Sequence, residues 1–325
     1  MPEGAGPMRR RAPATILLYA LLAVVTAWYT LPFCWALVTS VKHPGMVFDG
    51  RWLPYERAQT VLIDGREREI RVIEDRGDSL RVRITETGGL RMLPRGSVES
   101  ISPRWGNYAE AWNIVPFGRY FLNSLLIGLC VTLGQLVVCS LGAYAFARLD
   151  FPGRDAVFFL YLGTLMIPGP VLTVPIYLLL REYHLLNTYQ GVILPGLFSA
   201  YGTFLLRQFF LTIPRDLEDA ARMDGAGRFG VYLRIILPLS GPALAALATF
   251  VFIGSWNDFF WPSIVMTDPD RLTLPVGLAH FNDIYVFDYG RLMAGSMIGI
   301  APAILMYLLF QRFITRGVVM TGLKG

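Results

Sequence analysis

The sequence predicts an all-α protein that crosses a membrane six times and carries a small β-rich insert outside the membrane, between helices 1 and 2. Three observations predict this fold class. Hydrophobic residues make up 54% of the 325 residues and charged residues only 16%, a composition typical of a multispanning membrane protein. Long apolar segments recur along the chain, each near the roughly 20 residues that a helix needs to cross a bilayer. Between the first two of them, short stretches alternate apolar and polar residues, as half-buried strands do.

The first apolar segment, residues 14–38, predicts transmembrane helix 1. Residues 1–13 before it form a basic tail, and the run from Arg9 to Arg11 places that tail in the cytoplasm by the positive-inside rule. A cleaved signal peptide is the alternative, because it also joins a basic start to an apolar core. The segment is longer than such a core, and aromatic residues such as Trp28 are typical of a helix anchored at the membrane interface. We therefore predict a retained helix that runs outward.

Residues 43–106 are predicted to form an extracytoplasmic loop, and about 57–103 within it form the β-rich insert. Its stretches alternate apolar with polar residues and are separated by turn signals. The pair Asp64-Gly65 is a strong hairpin signal because both residue types tolerate the backbone of a tight turn. Further turns are predicted at Gly77-Asp78 and Gly88-Gly89.

Residues 119–312 are predicted to form the membrane core with helices 2–6, followed by a C-terminal tail over residues 313–325. The predicted helices cover approximately residues 123–145, 156–180, 191–210, 239–265 and 292–313. In the third helix of the chain, Pro168 interrupts the helix, because proline removes a backbone hydrogen bond. Broken helices in transporters often line the moving pathway. A kink that serves packing alone is the alternative.

A polar stretch, residues 214–236, separates the fourth and fifth apolar segments. Asp216 can cap a first helix there, and the acids Glu218 and Asp219 in its first turn suit the positive end of a helix dipole. An Asp-Gly-Ala-Gly run that starts at Asp224 breaks this helix, and apolar residues then recur at helical spacing. The stretch thus predicts a helix-turn-helix knob suited to docking into a groove on another protein. A connector without any partner is the alternative.

The stretch from Asp219 to Ala226, with Leu237-Pro238-Leu239 after it, resembles the EAA loop of importer-type ABC permeases. Asp219 stands where the family usually has the Glu that names the motif, and the acid before it keeps the negative charge. The resemblance implies the type I ABC importer permease fold, with this loop in the cytoplasm against the ATPase. The coupling residues that it implies are Glu218, Asp219, Ala220, Ala221, Asp224 and Gly225. Among them, Gly225 matters most if the break requires a positive φ.

The stretch that begins Ser255-Trp256-Asn257-Asp258 resembles an element of the sugar-importer subfamily. We take Trp256, Asn257 and Asp258 as candidates for the translocation pathway, together with Pro168. An ionisable residue at membrane depth usually faces protein or water. Asp258 can therefore line a path for a sugar, or it can fix the packing of helices by hydrogen bonds.

The resemblance implies one of the membrane subunits of a carbohydrate ABC importer of the maltose-permease type, in a bacterial or archaeal cell membrane with both termini in the cytoplasm. It implies a second, related permease, a pair of ATPase subunits and an extracytoplasmic sugar-binding protein as partners. No phosphate-binding Gly-Lys-Ser/Thr loop occurs in the chain, so we expect ATP to be bound and hydrolysed by another subunit. The three cysteines lack metal-ligand spacing, so we expect neither a metal nor another cofactor in this chain.

Several alternatives stay open at this level. The same fold can import another solute, such as an amino acid, phosphate or glycerol phosphate. An ion-coupled secondary transporter would need buried ionisable relays and internal repeats, and the apolar segments show neither. A membrane-anchored enzyme would need a reactive group in the insert, which has neither Cys nor His. The insert itself either packs on the outer rim of the membrane core or contacts the binding protein or the cell envelope.

Overall fold

The computed structural model describes residues 12–43, 46–48, 50–54, 56–57, 60–63, 66–84, 87–100, 103–284 and 288–322. These belong to two compact units, of which one comprises residues 1–113 with 285–298 and the other 114–284 with 299–325. Three features predicted from sequence lie outside the described residues: the arginines at 9–11, the hairpin pair at 64–65 and the last residues, 323–325.

Three helices belong wholly or partly to the first unit. They are α1 (Ala12–Ser40), α2 (Gly106–Ile114) and the first part of α14 (Tyr289–Gly322). Between Thr15 and Ser40, α1 passes the length and hydropathy test for a membrane span, and almost all of its side chains are exposed, as expected of a helix that faces lipid. The carbonyl groups at its end are satisfied by Asn107, whose Nδ2 donates to the oxygens of Ser40 and Lys42 at 2.9 and 2.8 Å.

The insert contains two antiparallel sheets. A two-stranded sheet pairs β1 (Glu56–Arg57) with β6 (Glu99–Ser100). A four-stranded sheet has the order β2 (Thr60–Ile63), β3 (Arg66–Asp75), β4 (Ser79–Ile84), β5 (Leu90–Pro94).

The predicted alternation of apolar and polar residues is confirmed in β4. Leu80, Val82 and Ile84 are buried, whereas the arginines between them are exposed. The apolar face of the sheet belongs to a small core that also includes Val98 of the segment between β5 and β6. The glycine turns are confirmed as well, because Gly77 and Gly88 have φ values of 83° and 65°.

The second unit consists of helices, and the longest is α3 (Phe117–Arg148). The others in its first half are α4 (Arg154–Gly163), α5 (Gly169–Glu182), α6 (Tyr189–Gly196) and α7 (Ala200–Leu211). A short helix, α8 (Asp216–Met223), precedes α9 (Arg228–Val231), the π-helical turn Tyr232–Ile236 and α10 (Leu237–Leu239). The unit continues with α11 (Gly241–Trp256), α12 (Phe260–Val265), α13 (Leu274–Ile284) and the remainder of α14.

Several predicted spans are broken. Among the described residues, three helices are long and apolar enough to cross a membrane, or up to five if each bent pair counts as one span. The pair Arg154–Met166 and Gly169–Glu182 bends by 100° at Pro168, where the sequence predicts an interruption, and Arg228–Leu239 meets Gly241–Trp256 at 76°.

At three further places the structure differs from the predicted helices. Residues 239–265, predicted as one span, form α11 and α12 with a non-helical break at residues 257–259. Over residues 191–210 the structure has the two helices α6 and α7 where one span is predicted, and Pro195 lies inside α6 near the break. At the C-terminus, α14 continues to Gly322 through most of the segment predicted to be a tail.

The helices of the second unit pack around α3. One core cluster joins Cys139, Ala143 and Ala147 of α3 to Phe210 of α7 and Leu247 of α11. Small side chains at these α3 positions allow helix backbones to approach closely, which is the usual way for membrane helices to gain contact. The same cluster includes residues 231, 232 and 236 in the polar stretch between α7 and α11.

Gly277 of α13 lies directly against Tyr120 of α3. A Cβ atom at Gly277 would lie 2.2 Å from Cδ2 of Tyr120, a buried residue of α3. We expect Gly277→Ala to lower the free energy of unfolding by about 1–3 kcal/mol, because the tyrosine ring has to shift within a packed site. Thermal unfolding in detergent measures this. Gly241→Ala is the control, since nothing lies within 4 Å of its Cβ position, and an equal loss in both variants would contradict the steric account.

Candidate functional site

The polar stretch between α7 and α11 forms the predicted helix-turn-helix, and we call residues 214–239 the knob. It consists of α8, a turn over residues 224–227, and the continuous helix formed by α9, the π-helical turn and α10. Gly225 in the turn has a φ of 84°, which confirms that the break requires a positive φ and explains the glycine.

The start of α8 differs from the sequence prediction. Asp216 does not cap the helix, because Arg215 occupies the N-cap position with a helical backbone and Asp216 already lies in the first turn. Asp216, Glu218 and Asp219 together make the first turn acidic. Their negative charges interact favourably with the positive end of the helix dipole.

Glu218 is buried, with 2% of its surface exposed, although it belongs to a short polar helix. Its Oε1 lies 2.9 Å from Nε of Arg148, the last residue of α3, and both side chains are at most 3% exposed. The second carboxylate oxygen lies 3.6 Å from Nη2 of Arg222, one turn further along α8. The Nε–H group of Arg148 is not aimed at Oε1, so the contact is an ion pair without a hydrogen bond of good geometry.

Arg148 also binds the end of α7. Its Nη2 donates to the carbonyl oxygens of Phe210 and Ile213 at 2.5 and 2.6 Å. Carbonyl groups at the end of a helix lack partners within that helix, and a cation is favourable at that end. One guanidinium therefore joins the end of α3, the end of α7 and the start of α8.

The second half of the knob is attached to α3 as well. The hydroxyl of Tyr144 donates to the carbonyl oxygen of Arg228 at 2.9 Å, at the start of α9. One turn earlier on α3, the hydroxyl groups of Ser140 and Tyr232 are 2.7 Å apart and buried. Both halves of the knob thus have polar attachments to the same helix.

The predicted coupling residues fall on two sides of the knob. Asp219, Ala220, Asp224 and Gly225 are exposed, whereas Glu218 is buried and Ala221 packs partly against the core cluster. The most exposed large apolar side chains of the knob are Met223 at 88% and Phe229 at 64% exposure. Apolar residues at helical spacing are expected to face a core, so the sequence pattern did not mark these two as surface residues.

The candidate pathway residues are not brought together. Trp256 is buried and stacks on Phe252 with ring centroids 5.8 Å apart, and its Nε1–H donates to the oxygen of Gly299 at 2.9 Å. Asn257 is exposed, and its Nδ2 donates to the oxygen of Ile253 in the preceding turn. Pro168 is exposed at the break between α4 and α5.

Asp258 lines a cleft of about 280 Å³ among α3, α6, α11 and α12. Its Oδ1 accepts the backbone N–H of Trp261 at 3.3 Å, near the start of α12. The cleft is also lined by the polar side chains of Gln135 and Ser255 and by the indole of Trp261. Gln135 was not among the residues predicted from the sequence, although an amide in the middle of an apolar segment is a signal that could have identified it.

The structure thus defines a class: a helical membrane protein with broken spans and a helix-turn-helix knob held against the helix α3. Residues 139–319 match the family model described as "Binding-protein-dependent transport system inner membrane component". The chain belongs to this family, which comprises permease subunits of ABC importers, and it is a transport subunit and not an enzyme. Family membership removes the two rival classes, the secondary transporter and the membrane-anchored enzyme.

Curated relatives are similar over about two thirds of the chain. The arabinooligosaccharides transport system permease protein AraQ of Halalkalibacterium halodurans is 40% identical over 209 residues, which are 64% of this chain and 75% of AraQ. The diacetylchitobiose uptake system permease protein NgcG of Streptomyces coelicolor is 36% identical and covers 66% of this chain and 72% of NgcG. The sn-glycerol-3-phosphate transport system permease protein UgpE of Pectobacterium atrosepticum is 35% identical and covers 66% of this chain and 79% of UgpE.

The fold also matches a solved structure. A crystal structure described as that of a bacterial ABC transporter involved in the import of the acidic polysaccharide alginate aligns with a TM-score of 0.72 and 19% identity. The match covers 96% of this chain and all of the matched chain. At this identity the likeness shows the fold, and the fold is that of an ABC importer permease.

Removing one member of the buried ion pair should destabilise the chain. We expect Arg148→Met to lower the free energy of unfolding by about 3–5 kcal/mol, because it leaves the Glu218 carboxylate buried without its main counterion. The double variant Arg148→Met with Glu218→Leu should recover most of the loss, since two apolar side chains leave no buried charge. Thermal unfolding in detergent compares the variants. A double variant no more stable than the single one would contradict the electrostatic explanation.

Proposed function

We propose that this chain is a membrane-spanning permease subunit of an ABC importer that translocates a sugar or sugar-like solute into the cytoplasm. The single observation that carries the proposal is the knob, whose exposed side carries the small and acidic coupling residues next to Met223 and Phe229 and whose buried side is fixed to α3. A rigid projection of this kind fits a groove on a separate ATPase.

The coupling residues have two different roles in this proposal. Asp219, Ala220, Asp224 and Gly225 form the contact face, while Glu218 and Ala221 hold α8 against the second unit. When ATP closes the ATPase dimer, its grooves carry the knobs inward. Because the knob continues into α7 and α11, this movement rocks the helices from an inward-facing to an outward-facing arrangement.

The solute class follows from the relatives and from the cleft. The names of two relatives specify oligosaccharides or a disaccharide, and that of the third a glycerol phosphate. The cleft offers an amide, a hydroxyl and a carboxylate for solute hydroxyl groups, and the indole of Trp261 for a sugar face. The carboxylate of Asp258 favours a neutral polyol over glycerol phosphate, since like charges repel in a poorly hydrated site.

The assembly comprises a second, related permease, a pair of ATPase subunits and an extracytoplasmic solute-binding protein. Both termini and the knob lie on the cytoplasmic side of the cell membrane in this arrangement, and the β-rich insert lies outside. The basic N-terminal tail supports that orientation.

Co-purification tests the assembly, with Gly225→Asp as the diagnostic variant. We expect the wild-type chain, purified in mild detergent, to bring an ATPase and a second permease that mass spectrometry can identify. Gly225→Asp should lose the ATPase and abolish uptake while the chain still accumulates, because an Asp at a φ of 84° distorts the turn and adds charge to the contact face.

Gly227→Asp is the matched control. It adds the same side chain two positions away, where φ is −70° and nothing lies within 4 Å of the Cβ position. Gly227 is also the N-cap of α9, a position that Asp suits, so this variant should keep the ATPase. Normal uptake in Gly225→Asp, or a wild-type chain that purifies alone, would count against the proposal.

Asp258→Asn tests the cleft. The amide oxygen still accepts the N–H of Trp261, so the start of α12 is preserved, but the charge available to solute hydroxyl groups is lost. We expect uptake to fall about tenfold, the magnitude of one hydrogen bond to a charged group, while ATPase binding stays unchanged. Uptake at the wild-type rate would mean that Asp258 only supports α12.

A further inference from the structure

The knob has a potential hinge between α7 and α8, where no helical backbone connects the two. The helix α7 ends at Leu211 and α8 begins at Asp216, so a short non-helical connection joins them. Movement of α8 could bend this connection without moving the rest of the second unit. The contacts of Arg148 span it, because one guanidinium binds the carbonyl oxygen of Phe210 in the last turn of α7 and that of Ile213 in the connection. It also lies against the carboxylate at the start of α8.

We infer that the Arg148–Glu218 pair is a positioning pair that transmits displacement of the knob directly to α3. The inference rests on the proposed function and deepens it. The spans next to the knob in sequence are α7 and α11, whereas the pair adds α3, which is distant in sequence and lies at the centre of the packing.

The residue that transmits displacement to α3 and the residues that contact the ATPase lie on different sides of α8. Glu218 is 2% exposed and faces α3, so it offers almost no surface to a partner. Its neighbours Asp219 and Ala220 are exposed on the other side of α8. A change confined to Glu218 should therefore leave ATPase binding intact. It should alter only the transmission of knob displacement to α3.

The second half of the knob supports the same conclusion independently. Tyr144 binds the start of α9 through the oxygen of Arg228, and Ser140 contacts Tyr232 in the π-helical turn. With Arg148, these residues form a row along the last part of α3. Both halves of the knob and the end of α3 are thus connected as one body, and Arg148 supplies the attachment for α8.

The chemistry requires arginine at this position. The planar guanidinium presents several N–H groups in fixed directions, and here it serves two carbonyl oxygens and a carboxylate. A lysine keeps the charge but carries it on a flexible stem, so it can hold one partner only by loosening another. Arg148→Lys should therefore preserve folding better than coupling.

The test uses the complete transporter in vesicles, with three variants and a control. The variants are Glu218→Gln, Arg148→Lys and the double change Arg148→Met with Glu218→Leu. The control is Asp216→Asn, which removes a charge from the exposed first turn of the same helix. Three quantities are measured in each: ATPase bound per permease, ATP hydrolysis, and solute taken up per ATP hydrolysed.

We expect all variants to bind the ATPase as the wild type does, and uptake per ATP to fall about fivefold or more, the lower end of typical coupling effects. The double variant is decisive, because it should remain folded without the ion pair and yet transport poorly. Asp216→Asn should match the wild type in all three measurements.

Each other outcome overturns the inference in a distinguishable way. Normal uptake per ATP in the double variant would reduce the pair to a stabilising contact. Loss of bound ATPase in Glu218→Gln would make Glu218 a contact residue, and unfolding of all three variants would make the pair a requirement for folding. A wild-type complex without ATP-driven uptake would reject the proposed function, and the inference with it.

Discussion

The structure of the second unit depends on the neutralisation of one buried charge. Arg148 is the last residue of α3, where its guanidinium is shielded from water, and a charge so placed must be paired. Its partners are the carbonyl group of Phe210 in the last turn of α7, that of Ile213 just after this helix, and the carboxylate of Glu218 at the start of α8. All of these lie at helix ends, where backbone groups and dipoles lack partners. The need to satisfy them fixes the knob against the helices.

Polar side chains also bind free backbone groups at the ends of other segments. In the first unit, Asn107 donates to the carbonyl groups of Ser40, the last residue of α1, and of Lys42 just after it. In the second unit, Oδ1 of Asn187 accepts the backbone N–H groups of Thr267 and Asp268, and Asn187 itself has a φ of 57°, which asparagine tolerates better than most residues. Polar side chains thus hold the joints, while the helix faces between them remain apolar. This division suits a chain whose helices face lipid and whose relative positions must still be defined.

Local features could be predicted from the sequence, and long-range features could not. Alternation identified the sheet of the insert, and the glycine break identified the knob with the positive φ of Gly225, because each signal lies within a few neighbouring residues. The pairing of Arg148 with Glu218 joins residues far apart in the chain, so no spacing rule reveals it. Asp216 failed as a cap because the backbone of Arg215 is already helical, a detail that composition does not determine.

The lengths of the two neighbouring acids in α8 follow from their surroundings. The carboxylate of Glu218 has to reach from α8 to the end of α3, and the extra methylene of glutamate provides that reach. Asp219 is exposed and contacts Arg222 within its own helix at 3.2 Å, three positions away, for which the shorter side chain suffices. An exposed pair of this kind contributes little to stability. The position at which the chain departs from the EAA motif is therefore the one whose own contacts tolerate the shorter acid, whereas the buried position beside it retains glutamate.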